Sequence, residues 1–345
     1  MKTSLMIPGA LVVGAVAVAS MFAAAPAAAA TLPAGQKITV IDNFDMQFYN
    51  VNPSTAVATP VGTPTPVATE ISGVDVDDAG HGYAIATLFE FGEPEGEDPI
   101  GPRYPSQGWL YKADANTGAL SEAKQIRIDD GGADPVYANE CTAIDYTKGV
   151  ITAVCYTYGN VRIGYVGTID ASGDEAVLTA DTFLWEQDGT DLYFTAIAVD
   201  PTDGTLYGFD VTFDNHLWTI TLDGADPVKY SEDDVLYNVA AADFDRDGQL
   251  WLSVLPPVVP TALNETIYLL ATFDFDAVEV VPVDNFASED PYEITAPTAL
   301  TVWGVLAATG SSVSLAPAIA ASGILLLGAL LAAGTMVLRR RSADA

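Results

Sequence analysis

From Thr31 to Trp303 the chain shows no sustained helical period, and short apolar stretches alternate with turns rich in Asp, Gly, Asn and Pro. Strand-length apolar runs broken by such residues predict an all-β chain, because these residues suit tight turns and interrupt ladders. The pattern also repeats. A unit running from Phe194 to Tyr207 aligns without a gap with a second from Asn238 to Trp251, each with a small-residue strand, a glycine turn and a further strand. Glu140–Ile151 is a third copy and Ser72–Ile85 a looser fourth. The turn glycines of the four, Gly82, Gly149, Gly204 and Gly248, are spaced by 67, 55 and 44 residues.

Each unit is followed by an aromatic-apolar strand that ends in a polar turn, at Trp109–Gly118, Tyr165–Gly173, Leu217–Gly224 and Tyr268–Asp276. A fifth such strand, Phe48–Thr55, stands near the N-terminus with no first unit before it. A small-residue strand, a turn and an aromatic strand recurring at this interval predict the blades of a β-propeller. Ala196, Ala198, Ala240 and Ala242 mark the strand nearest the axis, where space is least. The segment Thr295–Trp303 is expected to supply the missing first unit of the N-terminal blade and so close a ring of about five. The alternative fold is a tandem β-sandwich. By pattern, the middle region is similar to the YncE/NHL-type propellers of secreted bacterial proteins.

The two ends carry a different pattern. Lys2 precedes an apolar run from Leu5 to about Ala25, and small residues lead to Ala28-Ala29-Ala30. A positive start, an apolar core and an Ala-x-Ala site predict a secretory signal peptide over residues 1–30, cleaved after Ala30. At the C-terminus, Leu306-Ala307-Ala308-Thr309-Gly310 lies in a segment 304–314. It is followed by an apolar stretch 315–338, long enough for a transmembrane helix, and by a basic tail 339–345 opening Arg339-Arg340-Arg341. This tripartite order resembles the sorting signal of LPXTG-type sortase-anchored wall proteins, in the LAXTG variant of actinobacteria. The resemblance implies attack by a sortase on the Thr309 carbonyl, departure of Gly310 and covalent attachment to peptidoglycan, with the helix holding the chain in the membrane until then. The alternative is an uncleaved type I membrane anchor. The expected domain is 31–303, on the cell wall and outside the cell. Only two residues separate Trp303 from Leu306, so a strand ending at Trp303 leaves almost no stalk.

Composition narrows the partners. The formal net charge is −33, and removing both ends deepens it, since four basic residues and one acid are lost. Such a field repels nucleic acid and suits a soluble surface protein or a cation-rich envelope. The two cysteines, Cys141 and Cys155, fall in the exported region and flank a tight hairpin turning near Lys148-Gly149. Equal distances from a turn place residues opposite one another if the register is right, and a disulfide is the expected outcome.

No residue cluster announces an enzyme. Asp243, Asp245 and Asp247 alternate as at the start of a calcium loop, but Val254 stands where an EF-hand needs its bidentate Glu. The competing reading is a hairpin turn, and Asp75-Val-Asp77-Asp78 poses the same choice. His81 and His216 have no nucleophile or carboxylate at motif spacing. The segment Glu90–Gln107, with five acids and four prolines, and the segment Pro256–Asn264 are expected to join second and third strands on one face, as a variable rim. The reading is a wall-anchored, non-enzymatic module for a glycan or protein ligand. Its alternative is a surface hydrolase or lyase in the propeller channel, which requires a convergent polar cluster there.

Overall fold

The computed structural model describes residues 31–304, apart from 44–45, 65–69, 92–102, 160, 185–191, 212–214, 232–236, 257–267 and 289–295. The signal segment with Ala28 and Ala30, the sorting residues Leu306–Gly310, the apolar stretch 315–338 and most of both rim segments lie outside the described residues. Among the described residues there is no helix long and apolar enough to cross a membrane. The strands are β1 (Lys37–Asp42), β2 (Gln47–Val51), β3 (Val57–Val61), β4 (Glu70–Val76), β5 (His81–Phe91), β6 (Arg103–Asp114), β7 (Ala119–Asp129) and β8 (Val136–Tyr137). Then come β9 (Glu140–Thr147), β10 (Val150–Tyr158), β11 (Arg162–Asp170), β12 (Ala176–Phe183), β13 (Phe194–Val199), β14 (Leu206–Asp210), β15 (Leu217–Ile220) and β16 (Val228–Lys229). The last are β17 (Asn238–Phe244), β18 (Leu250–Leu255), β19 (Leu269–Asp274), β20 (Glu279–Asn285), β21 (Ala287–Ser288) and β22 (Pro297–Trp303).

They form five antiparallel blades. Blade 1 runs β22-β1-β2-β3 from the axis outward, and blades 2 to 5 run β4 to β7, β9 to β12, β13 to β16 and β17 to β20. The all-β, propeller-like expectation holds, and the repeated units are the first two strands of blades 2 to 5. β22 does close blade 1, pairing antiparallel with β1 from Lys37 opposite Trp303 to Asp42 opposite Pro297. Blades 2 and 3 are also joined at their outer edges, where β7 and β12 pair in parallel. Lys124 Nζ supports that seam by donating to the Ala171 and Gly173 carbonyls.

Both faces of a blade are buried, so inner strands read as near-continuous apolar runs. Their side chains fill five clusters, one between each pair of neighbouring blades. On β18, for example, Leu250, Leu252 and Val254 face blade 4, while Trp251 faces blade 1. The turn glycine of blade 2 is Gly80, at φ +83°, with a Cβ position blocked by the Trp303 ring at 2.7 Å. Gly82, expected in that turn, instead lies within β5, where a Cβ would meet the Asp75 carbonyl oxygen at 2.2 Å.

Every innermost strand carries a β-bulge at the same place. The bulged residues are Thr298, Ser72, Thr142, Thr195 and Ala240 in blades 1 to 5. A bulge turns its side chain away from the ladder, and here it aims a hydroxyl at the next blade. Thr298 donates to the Ile71 carbonyl at 2.8 Å, Thr142 to Phe194 at 2.6 Å and Thr195 to Val239 at 2.5 Å. Where Ser72 and Ala240 do not, Thr87 and Ser253 on the second strands donate to the matching carbonyls of Cys141 and Pro297. At the level of the bulges, a hydroxyl therefore crosses each of the five junctions.

The cysteine hairpin forms as expected. Lys148 and Gly149 have φ of 55° and 84°, the two positive values of a type I′ turn. A bulge beside Val154 and Cys155 shifts the register so that Cys141 faces Cys155, and the two form a disulfide. Their separation is 14 residues, and closing a loop of that size stabilises the fold by about 3 kcal/mol through the unfolded chain. Cys141→Ser with Cys155→Ser should therefore lower the urea midpoint by roughly that energy divided by m, with m little changed. Equilibrium unfolding followed by tryptophan fluorescence checks it.

Candidate functional site

The residue three places beyond each bulge sits on the inner strand near the tight-turn face. From blade 1 to blade 5 it is Thr301, Asp75, Asp145, Ala198 and Asp243. The three aspartates are buried, and one carboxylate oxygen from each lies within 4.8 Å of the other two. Each reaches across to the next blade. Asp75 Oδ2 accepts the Tyr146 N–H, Asp145 Oδ2 accepts the Val199 N–H at 2.8 Å, and Asp243 Oδ2 accepts the Val302 N–H at 2.5 Å. Asp75 Oδ1 takes its own neighbour's N–H, from Val76 at 2.7 Å, and the Thr301 hydroxyl at 2.8 Å. Asp243 Oδ1 likewise takes the Phe244 N–H at 2.7 Å. Asp145 Oδ1 differs: it is buried and has no hydrogen-bond partner.

Burial is the largest influence on all three acids and disfavours their charge. It pushes Asp75 up to about 6, against lowering by the Tyr146 N–H and the Thr301 hydroxyl. It pushes Asp145 up to about 8, with the Asp75 charge adding to the rise. The Val199 N–H opposes this, as do the Thr147 hydroxyl and N–H, which do not reach hydrogen-bonding geometry with Oδ1. Asp243 is driven well above the carboxylate range by burial and then by Asp75 and Asp145. The cluster titrates as a unit.

Further along the axis the channel is packed. Gly73, Val74, Ile144, Ile197, Ala241 and Leu300 are among the residues that leave about 10 Å³ of open space, about enough for one water and no more. The polar convergence that an enzyme reading requires is present in the three aspartates.

The structure divides the aspartates singled out in the sequence. Asp243 and Asp75 enter the cluster. Asp245 and Asp247 stay in the hairpin turn of blade 5, where Asp245 Oδ1 accepts the Asp247 and Gln249 N–H groups and its Oδ2 the Trp251 indole. Asp77 does the same in blade 2 for Ala79 and His81, and Asp78 pairs with Arg246 at 3.0 Å. Asp145 was overlooked, although counting three residues from the small bulged position of each repeat finds it. His81 opens β5, with Nδ1 3.7 Å from Asp114, and His216 is buried just before β15.

The other face of the ring carries a second grouping. There β5 and β10 end and β6 and β11 begin, so the Glu90–Gln107 segment does join second and third strands, as expected. Glu140 accepts hydrogen bonds from the hydroxyls of Tyr158 and Tyr193. The Arg162 guanidinium lies 4.7 Å from the centre of the Tyr193 ring and 5.6 Å from that of Tyr156. Burial and then the Glu140 charge keep the Tyr158 and Tyr193 phenols protonated.

No protein-family model matches this chain, and no curated protein matches it. Solved structures similar to it include a putative TolB from Agrobacterium tumefaciens, at 10% identity over 74% of this chain and 90% of that one, with a TM-score of 0.35. A putative 6-phosphogluconolactonase from Bacteroides uniformis has 12% identity, coverage of 73% and 82%, and a TM-score of 0.36. The Dos1 propeller has 10% identity, coverage of 77% and 87%, and a TM-score of 0.31. The fold assignment rests on this chain's own strand pairing.

The raised acids set a direction for stability. Between about pH 4 and pH 8 the native cluster holds more protons than the unfolded chain, so stability falls as pH rises through that window. In chelator, the melting temperature is expected to decline from pH 4.5 to pH 8. Asp145→Asn should flatten the decline, as read by calorimetry across that range.

Proposed function

We propose that this chain is exported, joined by a sortase through Thr309 to peptidoglycan, and displayed on the wall as a non-enzymatic binding module built on the propeller. The observation that carries the reading is where the described chain leaves the ring. β22 runs toward the face of the tight inner turns, and Trp303 pairs there with Lys37 at the start of β1. Leu306 follows two residues after Gly304. A tether at that point holds the tight-turn face toward the wall. The ends of the second strands and the Glu140–Tyr158–Tyr193–Arg162 grouping lie on the opposite face, where a glycan or protein ligand meets them.

Among the described residues, the space between the inner strands beyond the cluster holds about one water, which favours a binding module over a hydrolase or lyase acting there. The other face offers the exposed Tyr158 ring, tyrosine hydroxyls gathered on Glu140 and Arg162 over the Tyr193 ring, groups suited to holding a ligand without reacting with it.

Walls purified from the producing cell and digested with a muramidase should release protein whose last residue is Thr309 carrying a peptidoglycan fragment, read by mass spectrometry. Protein recovered only in detergent, with its tail intact to Ala345, would instead make the chain a membrane-held ectodomain.

A further inference from the structure

We propose that Asp75, Asp145 and Asp243 together bind one divalent hard cation, calcium, which ties blades 2, 3 and 5 together on the propeller axis. Three oxygens no more than 4.8 Å apart have a common centre within about 2.8 Å of each, close to a calcium–oxygen contact of about 2.3–2.6 Å. The donors are all carboxylate oxygens, the set that selects calcium over softer metals.

A second observation points to a ligand independently of the acidity. Asp145 Oδ1 is a buried acceptor with no hydrogen bond, in a residue only 2% exposed. An unsatisfied buried acceptor is costly, and here it belongs to a group converging with two other carboxylates. The neighbouring oxygens are already engaged by N–H groups and the Thr301 hydroxyl, all of them donors. Donors aimed at a carboxylate favour its ionised form, and three ionised groups so close need a positive charge among them. The alternative is a cluster that shares protons, as close carboxylates do when no cation is present.

The site bears on when the protein becomes stable. Calcium is scarce in a cytosol and reaches millimolar levels outside cells, the range over which extracellular calcium modules bind. A ring pinned by calcium is completed after export. The binding rests on the axial geometry alone, and only its timing rests on the proposed export.

The full chain, purified in mild detergent, is stripped with EGTA, desalted and melted with and without 2 mM CaCl2. Calcium should raise the melting temperature by about 5–10 °C, and atomic emission after gel filtration should find one equivalent retained. Asp145→Asn should lose both the retained ion and the shift while melting at least as high as the native protein in EGTA. Asp129→Asn with Asp130→Asn, at an exposed edge, should keep both, which separates the axial site from general surface acidity. If Asp145→Asn does not fold, Asp243→Asn gives the same comparison. Native protein that melts alike in EGTA and calcium overturns the proposal in favour of shared protons, and an Asp145→Asn variant that responds like the native protein overturns it in favour of surface binding.

Discussion

Blade 1 takes its innermost strand from β22 and its second from β1, so the ring has no stable form until residues some 260 positions apart have paired. Everything nearer the axis depends on that pairing. Without β22, the clusters between blades 5 and 1 and between blades 1 and 2 lose Leu300, Val302, Ala299 and Trp303, and two inner strands face solvent. Closing so long a loop costs entropy before any contact repays it. The ring answers with many weak locks rather than one strong one: a hydroxyl at every junction and an apolar cluster behind each.

Crowding at the axis explains the composition of the inner strands. Five strands converge, so the position after each bulge is held by Ala299, Gly73, Ala143, Ala196 and Ala241. At Gly73 even a Cβ would come within 3.1 Å of Ile144. The bulges then turn the strand ends so that one residue per blade points at its neighbour. Thr301 and Ala198 hold two of these positions; carboxylates at all five would bring five charges into one buried space. Three aspartates, with Ala198 and Thr301 on either side of Asp243, give a cluster that links blades through N–H groups while remaining small enough to share one counter-charge.

The two faces of the ring are built differently. Tight turns, many of them held by an aspartate that accepts two N–H groups, make one face short and rigid, and both described ends of the chain meet there. The opposite face carries the longer connections and the Arg162–tyrosine grouping.

Local pattern was enough for much of this. The glycine-centred units gave away the blades, the alternation of small and aromatic strands ordered them, and the hairpin at Lys148-Gly149 paired the cysteines, because each depends on residues close in sequence. The axial cluster was not legible in that way. Asp243 drew attention for its alternation with Asp245 and Asp247, yet those side chains turn to a hairpin and Asp243 turns to the axis. Its partners are Asp75 and Asp145, about 170 and 100 residues away. Residue types and spacing determined the strands, the turns and the disulfide, since those are set by backbone preference and near neighbours. Only the closed ring decided which carboxylates meet, because five separate strands must be brought to one line before any of them can share a charge.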